Sequence, residues 1–183
     1  MQEPLFLKVV KFFIEHPYEE IYLRQLAKKL KLSPFAVKKY TDFLITESII
    51  TEERKANLRY FKANSSNLFF KQMKIAYNVR LILQSRLIDF LKQEITTISS
   101  IVLYGSLAKG EDDTKSDIDI LIIGKEKRLN VEKYEEKIGK KITLQILSWS
   151  EWNKNARANS AFYYEVISNG KSLFGELPIV RWK

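Results

Sequence analysis

At 183 residues the chain has room for one domain or two small ones, and its 45% hydrophobic content suffices for packed cores. It has no cysteine, which excludes disulfides and thiolate metal sites; no apolar run reaches the ~18 residues of a membrane span, and Met1-Gln2-Glu3-Pro4 is no secretory signal, so a cytoplasmic protein is expected. The net charge of +9 favours a polyanionic partner, though the excess is spread: 12 basic and 8 acidic residues in 1–63, 5 and 2 in 64–98, 14 and 12 in 99–183.

Leu5 to Glu15 reads as a helix with Leu5, Val9, Phe12 and Phe13 at helical spacing. His16-Pro17 ends it and leaves the chain's one histidine in a turn, with a structural role. A second helix spans about Leu23 to Leu30. Ser33 as N-cap and Pro34 at the first helical position start a third, which runs to about Glu47. Ile49 to Glu53 and Arg59 to Lys62 are strand-like and joined by Arg54-Lys55-Ala56-Asn57-Leu58. Three helices and a hairpin with a basic tip give the order of a winged helix-turn-helix over residues 1–63. Val37 and Leu44 serve its core, while Ser33, Phe35, Lys38 and Lys39 can face outward and Arg54, Lys55 and Arg59 sit on the wing. The run from Leu32-Ser33-Pro34 through Arg59-Tyr60-Phe61 resembles the DNA-binding domain of small ArsR- or MarR-like repressors. That resemblance implies double-stranded DNA as a partner of these seven residues; a winged helix used for protein contact is the alternative.

Asn67 to about Ile95 reads as one long helix of roughly 40 Å, which makes 64–96 a connecting segment. Phe69, Met73, Ala76, Leu83, Leu87 and Phe90 form one apolar stripe, and Leu68, Ile75, Val79 and Ile82 a second. So broad a surface needs more than one neighbour, from two domains of its own chain or from a homodimer. Beyond it the elements alternate. Ser100–Tyr104, Ile118–Ile123 and Lys141–Leu147 are strands; Val131–Ile138, Trp149–Ala158 and Ser160–Ser168 are helices, with Gly170 as a stop. The chain is therefore α+β, with a mixed-sheet α/β layer in 97–183.

The chemistry lies in Tyr104-Gly105-Ser106-Leu107-Ala108-Lys109-Gly110 and Ser116-Asp117-Ile118-Asp119. A strand ending in Gly-Ser lets backbone N–H groups and a hydroxyl approach a phosphate. Two carboxylates two residues apart at a strand start project from one face and can share a hard cation, Mg²⁺ or Mn²⁺. In this order and spacing the residues resemble the polymerase-beta-like nucleotidyltransferase superfamily, over about 97–175. The resemblance implies catalytic, metal-holding Asp117 and Asp119, and a nucleoside triphosphate held by Gly105, Ser106, Lys109 and Ser116. It also implies a third carboxylate on the next strand, where Ile142-Thr143-Leu144-Gln145-Ile146-Leu147 has none; Gln145, ahead of Thr143, is expected in that slot. Small relatives move nucleotides to proteins or small molecules, and many act as antitoxins with HEPN-type toxins. Two functions follow: a magnesium-dependent transferase tethered to a DNA-binding winged helix, or a DNA-binding regulator that senses a nucleotide. The abundance of Ile, Lys and Glu beside two Met fits a thermophilic, archaeal kind of source.

Overall fold

The computed structural model describes residues 4–158 and 160–181, and the chain divides between Lys74 and Ile75 into two compact units. In the first, α1 (Leu5–Glu15) buries Val9, Val10, Phe12, Phe13 and Ile14. A two-residue strand, β1 (Ile21–Tyr22), leads into α2 (Leu23–Leu30), which ends at Lys31 in the left-handed region. The Ser33 hydroxyl accepts the Ala36 N–H at 3.2 Å and Pro34 opens α3 (Pro34–Thr46), the start expected from the sequence. Val37, Thr41 and Leu44 turn inward, and the buried Thr41 hydroxyl is satisfied by donating to the Val37 carbonyl at 2.9 Å. β2 (Ile50–Lys55) and β3 (Leu58–Ala63) form the hairpin, and three helices with an antiparallel sheet of order β1-β3-β2 have the element order expected of a winged helix-turn-helix. β1 was not expected, since two residues carry no periodicity of their own.

The long helix expected over 67–95 is two helices, α4 (Leu68–Ser85) and α5 (Leu87–Glu94). Arg86 between them is left-handed, at φ +69°. The Ser85 side chain makes the break: its hydroxyl donates to the Ile82 carbonyl at 2.6 Å and accepts the Leu87 N–H at 3.1 Å. Ile75 and Ile82 of α4 are buried, whereas Leu68, Phe69 and Leu83 are exposed.

The remaining elements are β4 (Ser100–Tyr104), α6 (Gly105–Lys109), β5 (Ile118–Ile123), α7 (Glu132–Ile138), β6 (Ile142–Leu147), α8 (Trp149–Arg157), α9 (Ala161–Asn169) and β7 (Lys171–Gly175). The sheet order is β6-β5-β4-β7, with β5 and β6 parallel and the other pairs antiparallel. Strand alternation gives the sheet two apolar faces. Ile101, Leu103, Ile118, Ile120 and Ile122 pack with Ile88, Leu91 and Tyr134 of α5 and α7. On the other side Val102, Leu121 and Ile123 pack with Trp152, Ala156, Tyr163 and Val166 of α8 and α9. Gly170 follows α9 as expected, but for a different reason. Its φ is −59°, and a Cβ there would overlap the Val166 carbonyl oxygen and come within 2.7 Å of Val102. Space, not handedness, requires glycine at that point.

Candidate functional site

β4 delivers the chain to Gly105 beside the first residues of β5. Antiparallel register sets Tyr104 opposite Asp119, and parallel register sets Thr143 of β6 opposite Asp119 on its other side. Tyr104, Asp119 and Thr143 therefore form a row across three strands, on the face that α8 and α9 cover farther along. Asp117 stands exposed one residue before β5. Gly105 is required twice over. Its φ is +73°, and a Cβ would overlap Asp119 Oδ2 and lie 3.3 Å from Asp119 Cγ. The turn thus lies directly on the carboxylate.

Burial pushes the Asp119 carboxyl above its ordinary range, and the negative charge of Asp117 pushes it further. Burial also raises the Tyr104 hydroxyl, and the Asp119 charge adds to it. These like charges raise the cost of ionising Asp119 and the half-buried Tyr104 hydroxyl, which favours protonation or a cation. Among the described residues no group of three or more histidine and acidic side chains could hold a metal. Asp117 and Asp119 offer hard oxygens, the kind of donor that a divalent cation with water and phosphate ligands takes.

The other expected residues are in different states. Ser106 is half-buried in α6, and its hydroxyl takes no protein partner among the described residues. Lys109 ends α6 with its Nζ 3.2 Å from Glu165 Oε1 of α9, and both side chains remain partly exposed. The Ser116 hydroxyl is engaged in its own turn, accepting the Asp113 N–H at 2.9 Å and donating to Asp113 Oδ1 at 3.0 Å. The Lys115 N–H and then the Ser116 hydroxyl hold the Asp113 carboxyl below its usual range. Lys140 fastens the same turn by donating to the Asp113 and Ser116 carbonyls, the first at 2.5 Å. Ser116 and Lys140 shape the loop that presents Asp117, and sequence reasoning missed Lys140. Asp112 is buried and accepts the Asn78 amide at 2.8 Å.

The slot beside Asp119 belongs to Thr143, which corrects the expectation that placed Gln145 first. Gln145 pairs with Leu121, two residues farther along the sheet. Periodicity fixes which face a strand residue takes but not the parallel register, which starts here at Ile118 opposite Ile142.

On the winged helix the expected cations separate. Arg59 is 24% exposed and bound to the protein itself, donating to both carboxylate oxygens of Glu52 at 2.8 and 2.7 Å and to Asp42 at 2.6 Å. These bonds raise its pKa further, and it is a structural clamp, not a free wing cation. Lys55 bonds Glu20 at 2.5 Å and lies 3.5 Å from Glu53; Arg54 approaches Glu52 at 3.4 Å. Lys38 pairs with Asp42 at 3.3 Å, and Ser33 caps α3. Phe35 and Lys39 are exposed without an ion pair or hydrogen-bond partner among the described residues.

Residues 85–177 match the family described as polymerase beta, nucleotidyltransferase. Two solved structures are similar. One, a mutant of the toxin–antitoxin MntA–HpeT, is 23% identical over 51% of this chain and 72% of that chain, with a TM-score of 0.35. The other, a toxin–antitoxin with AMP-PNP, is 21% identical over 54% and 74%, with a TM-score of 0.36. No curated protein matches. The family match takes in half of the chain, from the start of α5 through β7 with the Gly105 turn and both carboxylates inside it, and the protein belongs to the polymerase beta nucleotidyltransferase family.

Proposed function

We propose that the C-terminal unit transfers a nucleoside monophosphate from a nucleoside triphosphate to a hydroxyl on a protein or small molecule, and that the winged helix tethers this activity to double-stranded DNA. The observation that carries the transferase reading is the Asp117–Asp119 pair, with Asp119 seated on the Gly105 turn and destabilised in its charged form. Both carboxylates fit Mg²⁺ or Mn²⁺, which when bound supplies charge neutralisation and polarisation at the triphosphate. Asp117 and Asp119 hold the cation, while the Ser106 hydroxyl and Lys109 take phosphate oxygens. The acceptor oxygen bonds to the α-phosphorus as the α–β bridging bond breaks. Pyrophosphate leaves, and the acceptor proton passes to solvent. A triphosphate labelled at the α-position, presented with Mg²⁺ and a cell extract as the source of acceptors, leaves covalent label under this reading, and the γ-labelled nucleotide leaves none. Retention of neither label, or of both alike, above the extract alone overturns it.

Thr143 beside Asp119 favours a second reading. A hydroxyl in the third-carboxylate slot neither holds a second cation well nor accepts the acceptor's proton. A DNA-binding regulator that senses a nucleotide without turning it over then accounts for the same geometry. Magnesium-dependent binding of the nucleotide without covalent label identifies that case.

A further inference from the structure

Phe35 is the most exposed of the large hydrophobic side chains among the described residues, at 80%. It stands on the second residue of α3, one turn before Lys38 and Lys39, and nothing in its own unit covers it. Core packing does not explain a phenylalanine there, because Val37, Thr41 and Leu44 supply the inward face.

The surrounding charges narrow the occupant. The cations toward the wing tip have acidic neighbours: Arg59 pairs with Glu52 and Asp42, Lys55 with Glu20 and Glu53, and Arg54 more loosely with the same Glu52. In this unit the exposed cations without an ion pair among the described residues are Arg24, Lys28, Lys31 and Lys39 along α2, the turn and α3, and Lys62 at the base of the hairpin, away from its tip. An apolar tip one helical turn from Lys39, on a helix pair that carries further exposed cations, complements a surface with phosphates at its edges and an apolar group in its floor. The DNA major groove is such a surface, with phosphates on both rims and the thymine C5-methyl projecting between them. The first turn of the second helix in a helix-turn-helix is the part that reaches base edges.

We infer that Phe35 reads a thymine methyl group in the major groove, while the helix-turn-helix lysines, and not the ion-paired wing residues Lys55 and Arg59, supply the phosphate contacts. The inference rests on the DNA-binding reading above. A duplex is selected from a random library on the full-length protein, and each thymine is then replaced singly by uracil, which removes the methyl and keeps the base pair. At one position uracil weakens wild-type binding about fourfold, the worth of one buried methyl-sized group. Phe35→Ala binds the thymine and uracil duplexes alike, and its high exposure leaves folding intact, as circular dichroism checks. Lys39→Ala lowers affinity on every sequence and reduces the salt slope by about 0.9, whereas Arg59→Ala leaves that slope unchanged. A selected duplex indifferent to uracil at every thymine overturns the role of Phe35 and leaves DNA binding standing. Failure to select any duplex overturns the DNA-binding reading itself, and the inference with it.

Discussion

Gly105→Ala forces two adjustments whose consequences differ. An L-residue held in the left-handed region at φ +73° costs about 1–2 kcal/mol, offset by roughly 0.4–1 kcal/mol because alanine restricts the unfolded chain. The new methyl must also displace Asp119 Oδ2, the free end of a side chain next to solvent-exposed Asp117, so this clash is relieved by rotation more than by backbone movement. The expected loss of stability is about 1 kcal/mol, or about 4–8 °C in Tm for a small domain. Function falls further. Disturbing the groups that orient metal ligands costs about 10–100-fold in affinity, so Mg²⁺-dependent triphosphate binding drops by that factor. Ile122→Val is the control. It lies on the same strand but faces the α5 and α7 layer, and it costs about 0.5–1.5 kcal/mol. Calorimetric titration of both variants against wild type, beside thermal melts, separates the effects. If Gly105→Ala melts lower but keeps wild-type affinity, Asp119 does not act from the place the turn imposes, and the reasoning fails.

Asp117→Asn removes the charge that helps raise the Asp119 pKa. A carboxyl raised in the fold binds its proton more readily there than in the unfolded chain, so its ionisation costs stability above that pKa. Without cation the variant should gain about 1 kcal/mol or less at neutral pH. That gain fades as pH falls through the protonation of Asp119, which melts across a pH series will show. Thr143→Asp places a carboxylate in register with Asp119 and should increase Mg²⁺-dependent pyrophosphate release severalfold, about 1 kcal/mol in barrier; Gln145→Asp, opposite Leu121, should increase it less. Comparable gains from both would mean the register does not govern the slot. Arg59→Ala should destabilise the winged helix by about 1–3 kcal/mol, between an exposed and a buried ion pair. Burial alone would raise Asp42, but bonds from Arg59 and Lys38 hold it down, and the Arg59 bond does the same for Glu52. Their contribution is complete at neutral pH and is lost as pH falls through the depressed pKa values. Denaturant titrations of wild type and variant should therefore converge in acid, below about pH 4.

Much of this was legible because it is local. Ser33-Pro34 announces a helix start by its own chemistry, and the spacing of Gly105-Ser106 to Asp117 and Asp119 is fixed by a short chain segment. What was not legible depends on distant residues. Arg59 reads as a wing cation until folding brings Glu52 across the hairpin and Asp42 from α3. The break at Arg86 carries neither proline nor glycine and comes from the bonds of the Ser85 hydroxyl. β7, to which the sequence reading assigns no element, pairs with β4 through a register shift at Ile101 and Val102. Thr143 and Gln145 share a face, and the parallel register alone distinguishes them.

Transferase and sensor both stand on one claim, that Asp117 and Asp119 on the Gly105 turn hold the cation of a bound triphosphate. Calorimetric titration of a non-hydrolysable triphosphate analogue, into wild type and Asp119→Asn with Mg²⁺ or with chelator, tests it directly. The account predicts binding by the wild type with Mg²⁺ and none in the other three combinations. Binding of equal strength with chelator, or by Asp119→Asn, would contradict it.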